Sequence, residues 1–200
     1  MASEKPIIVG VTGGSGAVYA VRLLEVLLGA GREVHLTVSD AGTQVLEQEL
    51  GVRVDRRAFD PSILKLDGRR LRYFHDADWF APMASGSFLT DGMVVVPCSG
   101  GTLSAVAHGL SSNLVHRAAE VQLKERRKLI LVTREAPLSL VAIENMAAVT
   151  RAGAVVLPAS PGFYHGANSV ADLVDFVVAR ICDQLGVAHS LTPRWGESHS

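Results

Sequence analysis

Ile7-Ile8-Val9-Gly10-Val11-Thr12-Gly13-Gly14-Ser15-Gly16-Ala17 is a short apolar run that stops at a glycine- and serine-rich turn. A helical pattern follows at once, with Val18, Val21, Leu24, Leu27 and Leu28 on one face. Gly29 and Gly31 close that helix, as helix C-termini prefer. The same strand–turn–helix unit recurs along the chain. Residues 33–38 read as a second strand, and Ser39 caps a helix running to about residue 50. An irregular excursion over residues 51–91 holds one short strand near 71–74. Further strands are expected at 93–97, 128–133 and 154–157, with helices opening at 99 and spanning 113–126, 137–151 and 169–185. Unbroken Val/Ile/Leu strands separated by helices belong to a parallel sheet covered on both faces. The expectation is a single-domain, three-layer α/β fold over residues 1–200, without internal repeat or linker.

Composition narrows the function classes. Hydrophobic residues are 48% of the 200 and charged residues 20%, enough for one sizeable core. The 19 basic and 20 acidic side chains nearly cancel, which argues against a nucleic-acid coat or a basic membrane binder. Cys98 and Cys182 are too few for a disulfide framework. The N-terminus lacks a basic start leading into a long apolar stretch, and no run of 18 apolar residues occurs. A cytoplasmic protein with no signal peptide and no membrane span is therefore expected. The seven histidines show no HxH or HExxH spacing and no DDxxD occurs, so no metal site is expected.

Ligands of parallel α/β sheets sit beyond the carboxyl ends of the strands. At the first such end, the glycines of Thr12-Gly13-Gly14-Ser15-Gly16-Ala17 allow a tight turn, and the helix start offers N–H groups to an anion. The spacing is neither GxGxxG nor a P-loop, so a plain turn and a phosphate or flavin contact both stay open. A nucleophile elbow at Ser15 is disfavoured, because Ala17 stands where its second glycine belongs. Cys98-Ser99-Gly100-Gly101-Thr102 is a second turn of the same kind. The two together point to a ligand with several polar groups lying across the strand ends. Cys98 itself reads as a small buried residue.

Arg117 and Lys124 lie seven apart on one helix face, with Asn113 and Glu120. Arg134-Glu135 follows the next strand directly; Arg can hold a phosphate bidentately and Glu can move a proton beside it. Tyr164, after the last strand, can bind a phosphate oxygen or cap the core. Arg180 falls within Phe176-Val177-Val178-Ala179-Arg180-Ile181, where a buried cation needs a carboxylate or ligand as partner.

Taken together these stretches resemble the UbiX-type flavin prenyltransferases, a family formerly labelled aromatic-acid decarboxylases. Further matching stretches are Ala81-Pro82-Met83-Ala84-Ser85-Gly86-Ser87, residues 97–105, 113–128, 134–139 and 174–180, Pro158-Ala159-Ser160-Pro161-Gly162-Phe163-Tyr164 and Arg194-Trp195. The resemblance covers nearly the whole chain and is weakest over residues 52–75. Ala142 departs from it, standing where the family often has His.

The resemblance implies a flavoprotein-like (Rossmann-like) fold. It implies transfer of a dimethylallyl group from dimethylallyl (mono)phosphate to N5 and C6 of reduced FMN, without a metal. The prenylated FMN would serve a UbiD-type decarboxylase, ubiquinone biosynthesis being one setting. It also implies a dodecamer with sites shared between subunits. FMN would lie against Gly13, Gly14, Ser15, Ser39, Ser99, Gly100, Gly101, Thr102 and Arg134. The prenyl phosphate would lie near Ser15, Glu49, Arg117, Lys124, Arg134, Glu135, Tyr164 and Arg180. Trp79 would line the prenyl pocket, and Trp195, in the tail 186–200, would close the site. Glu135 would shuttle protons, with Glu49 the second acid/base. Two other readings are a flavin-dependent cysteine decarboxylase of the same fold and a non-catalytic flavin-binding subunit.

Overall fold

Strand β1 (Ile7–Val11) is buried along its length because helices cover both of its faces. Ile7, Val9 and Val11 enter one apolar cluster and Ile8 the other, the alternation a strand imposes. The computed structural model describes residues 5–164 and 166–194 of the 200. Along the chain follow α1 (Ala17–Gly29), β2 (Val34–Val38), α2 (Asp40–Leu50), β3 (Leu71–Tyr73), β4 (Gly92–Cys98) and α3 (Gly100–Ala107). Then come α4 (Leu114–Lys124), β5 (Leu129–Thr133), α5 (Leu140–Arg151), β6 (Val155–Pro158) and α6 (Val170–Leu185). All strand pairs are parallel, in the order β3-β2-β1-β4-β5-β6. The apolar stripes of α1, α2 and α6 pack on one face of the sheet, and those of α3, α4 and α5 on the other. This is the expected three-layer α/β architecture.

The order reverses between β1 and β4, so the crevice at their carboxyl ends is the topological switch point. Most helices that open toward this end carry a cap of their own. Ser39, Ser99, Asn113 and Ser139 each accept a hydrogen bond from a backbone N–H in the first turn. These caps explain two shifted boundaries. The helix expected from 137 begins at Leu140, behind Ser139, and the one expected from 113 begins at Leu114, behind Asn113. The latter also ends at Lys124 rather than 126, since Arg126 has a positive φ of 56°. The excursion over 51–91 contains β3 and three short 3-10 turns.

The tail takes a direction the sequence does not announce. Val187 is buried, and His189 Nε2 lies 3.1 Å from Asp183 Oδ1, a carboxylate that Arg194 also bonds. Lys128 donates to the Gln184 carbonyl, which places the end of α6 beside the start of β5. Residues 186–194 therefore sit at the amino-terminal end of the sheet, opposite the crevice of their own chain. Trp195 lies outside the described residues. No helix among the described residues is long and apolar enough to cross a membrane.

Candidate active site

The loops after β1, β2 and β4 are locked together at the switch point. Thr12 Oγ1 donates to the Pro97 carbonyl at 2.7 Å and accepts from the Ser99 N–H at 2.9 Å. A Cβ on Gly14 would lie 3.2 Å from Pro97 Cβ, and one on Gly13 only 2.6 Å from Ala41 Cβ. Glycine at 13 and 14 is thus what lets three loops meet. They border an open cleft of about 380 Å³ lined by Thr12, Gly13, Ser39, Ser99, Gly101 and Thr102, with Asp40, Asp76, Asn113 and His116 around it.

The floor of this cleft is built for a polar ligand. Ser99 Oγ accepts from the Thr102 N–H at 3.3 Å and donates to Thr102 Oγ1 at 3.1 Å. Gly100 and Gly101 open α3, so their N–H groups have no intrahelical acceptor. A Cβ at either would meet nothing within 4 Å, so a ligand can approach this backbone closely. A glycine-lined helix start of this kind fits the polar groups of FMN. His116 Nε2 stands 3.4 Å from Thr102 Oγ1, and burial holds its pKa below the ordinary histidine value, leaving it neutral near pH 7.

Beside the cleft, α1 begins without a cap of its own. Gly16, at φ 118°, offers no side chain, and Glu49 from the last turn of α2 takes over the role. Its carboxylate accepts from the Gly16 N–H at 3.0 Å and the Ala17 N–H at 2.8 Å. Partial burial works against its charge, but hydrogen bonds from Ser15, Ala17 and Gly16, with the nearby charge of Arg134, hold the pKa below the usual carboxylate value. Arg134 also opposes the rise that burial imposes on the Tyr19 hydroxyl. Ser15, Glu49, Tyr19 and Arg134 therefore form one group at the start of α1. Replacing Glu49 with Ala should cost about 1 kcal/mol in chemical denaturation at pH 7, as loss of a cap does. A depressed carboxyl pKa stabilises the fold above the unfolded value and ceases to do so as pH falls through the folded one. The wild-type advantage should accordingly vanish in acid; equal stability of the two proteins at pH 7 would exclude the capping role.

The expected phosphate cations are not gathered within one chain. Arg117 and Lys124 belong to α4, on one face of the sheet, and Arg180 to α6, on the other. Arg117 Nε donates to the Ala84 carbonyl at 3.0 Å and Nη1 to Glu120 Oε2 at 2.9 Å, which fixes the 81–87 segment along α4. Lys124 Nζ lies 3.4 Å from Glu125 Oε1. Arg180 is not buried, contrary to the expectation from its apolar neighbours: 55% of its side chain is exposed, and Nη1 donates to Asp183 at 2.8 Å. The stripe Val174, Val177, Val178 and Ile181 faces the core, and position 180 falls outside it.

Glu135 is exposed beside Arg134 at the end of β5. Tyr164 is 69% exposed and meets the Phe176 ring edge-on, with centroids 5.8 Å apart. Trp79 is half-exposed on the 75–81 loop, next to a fully projecting Phe80. Cys98 is buried, and burial pushes its thiol up to about 12, which removes it as a nucleophile. Thr12, Tyr19, Asp76 and His116 also border these sites, although no sequence signal singles them out. Thr12 reads as part of a glycine turn, and His116 as one histidine of seven without metal spacing.

Known proteins share this fold. Residues 1–182 match the flavoprotein family. The chain is 48% identical to the flavin prenyltransferase UbiX of Pseudomonas aeruginosa, over 100% of this chain and 98% of that one. Among solved structures, AnUbiX in complex with FMN and dimethylallyl pyrophosphate superposes with a TM-score of 0.88 at 38% identity, covering 98% of this chain and 100% of that one. A dodecameric FMN-dependent UbiX-like decarboxylase from Escherichia coli O157:H7 gives 0.85 at 40% identity, covering 96% and 100%. With its order reversal at β1/β4, its two glycine/serine turns and these likenesses along its full length, the chain belongs to the UbiX-type flavin prenyltransferases of the flavoprotein family.

Proposed function

We propose that the protein joins the dimethylallyl group of dimethylallyl phosphate to reduced FMN, with inorganic phosphate as the leaving group. One observation carries this reading: the glycine/serine cleft at the ends of β1 and β4 adjoins the Ser15–Glu49–Arg134 group at the start of α1. A flavin site and an anion site therefore share the Thr12–Ala17 loop. Gly13, Gly14, Ser15, Ser39, Ser99, Gly100, Gly101, Thr102 and Arg134 hold the flavin. Ser15, Glu49, Arg134, Glu135 and Tyr164 of one chain face the prenyl phosphate.

As the C–O bond breaks, its electron pair goes to the phosphate, and preorganised cations stabilise the charge that grows there. The face of Trp79 attracts the cation-like five-carbon fragment. A new carbon–nitrogen bond forms at flavin N5 as the N5 proton is lost; a proton added to the remaining alkene then lets a carbon–carbon bond form at C6, with loss of the C6 proton. Glu135 returns one of the two released protons to the alkene carbon and passes the other to the departing phosphate.

Arg117 and Lys124 lie across the sheet from Arg180, so these cations complete the site between chains of an oligomer, a dodecamer in this reading. The tail 186–200, whose described residues 186–194 lead away from their own cleft, closes a neighbour's site with Trp195. The single domain thus works as a subunit, and its prenylated FMN passes to a UbiD-type decarboxylase in the cytoplasm. Phosphate release tests the reading. Anaerobic mixtures should liberate phosphate from dimethylallyl phosphate only when reduced FMN is also present. Flavin binding without release would favour a carrier, and carbon dioxide from a cysteinyl peptide a decarboxylase.

A further inference from the structure

Arg56 comes from the irregular segment after α2, yet it reaches the rim of the flavin cleft. Its Nη2 donates to Asp40 Oδ1 at 2.6 Å, and its Nη1 bonds Asp76 Oδ1. Both carboxylates line the cleft. Asp40 is the first residue of α2, and the Asp76 carbonyl accepts from the Leu114 N–H at 2.7 Å, where α4 begins. One guanidinium therefore ties the start of α2 to the segment that anchors the start of α4. The arrangement also settles an electrostatic conflict. Two carboxylates line a cleft whose ligand carries a phosphate of charge about −1.5 to −2. The only other basic side chain near Asp76 among the described residues is His75, whose Nδ1 lies 3.3 Å away and accepts from the Ala77 N–H. Arg56, with a quarter of its side chain exposed, supplies the permanent positive charge.

We propose that Arg56 is a positioning counter-ion of the cleft: it holds Asp40 and Asp76 in place and offsets their charge, so that the cleft accepts phosphate-bearing FMN. The inference rests on the FMN reading above. It separates from a merely structural role because riboflavin has the same ring system without the phosphate.

The test is to measure the Kd of the full-length protein for FMN and for riboflavin by fluorescence quenching. In Arg56→Gln the FMN Kd should rise roughly fivefold or more, while the riboflavin Kd changes less than about twofold. High salt should narrow the difference. Arg56→Lys, which keeps the charge, should retain the wild-type ratio, and Asp76→Asn added to Arg56→Gln should restore it. Should Arg56→Gln fail to fold, Asp40→Asn alone should tighten FMN relative to riboflavin. Equal losses for both ligands, or an unchanged ratio in Asp40→Asn, would overturn the counter-ion role. A wild-type protein that binds neither flavin would overturn it together with the reading it rests on.

Discussion

Glu135→Gln is expected to bind FMN with an affinity within about twofold of wild type and to turn over roughly a hundredfold more slowly. The two effects separate because Glu135 stands beside the residues proposed to hold the flavin without helping to build their frame. The cleft is fixed by Thr12, Ser99 and the glycines between them, and the start of α1 by Glu49. Glu135 is exposed after β5, so an isosteric amide there disturbs no packing. What it removes is a group able to accept and return a proton, which ring closure at flavin C6 requires. Arg134→Ala should do the reverse and weaken ligand binding first, since its charge already acts on Glu49 and Tyr19. Pre-steady-state turnover alongside flavin titration distinguishes the two. A Glu135→Gln protein with undiminished turnover would remove Glu135 from the proton path.

Mixed oligomers are expected to regain activity that neither parent has. Lys124→Ala and Arg180→Ala should each be nearly inactive alone, because on the proposed reading each takes a cation from the leaving phosphate. The two residues lie on helices that cover opposite faces of the sheet. If one site draws Lys124 from one chain and Arg180 from another, random mixing in a symmetric oligomer leaves about a quarter of the sites with both cations. Sites built within one chain would gain nothing, since every chain lacks one of the two. Co-expression with two affinity tags, purification of the doubly tagged oligomer and measurement of phosphate release decide between these arrangements.

What the chain reveals on inspection depends on the range of the interaction. The turns at 12–17 and 98–102 are legible because their glycines act locally: a missing Cβ, a tight turn, an open helix start. The alternation of strands and helices is legible for the same reason, and the expected elements all occur. The shared face of Arg117 and Lys124 follows from helical periodicity. Which layer that face belongs to follows only from the order of the strands. Arg180 shows the limit of linear reading. Its neighbours in sequence are apolar, but the 3.6-residue period carries it away from the core and onto Asp183. Nothing in the sequence of α2 indicates that Glu49 caps a different helix 33 residues away. Arg56 is hidden in the same way, because a segment without periodicity leaves no sign of where its side chains go.

The most direct measurement is the mass of the flavin recovered after reduced FMN and dimethylallyl phosphate are mixed with the protein without oxygen. A five-carbon addition to the FMN, absent when either substrate or the protein is omitted, is the predicted result. Recovery of unmodified FMN from a protein that holds both substrates would contradict the account.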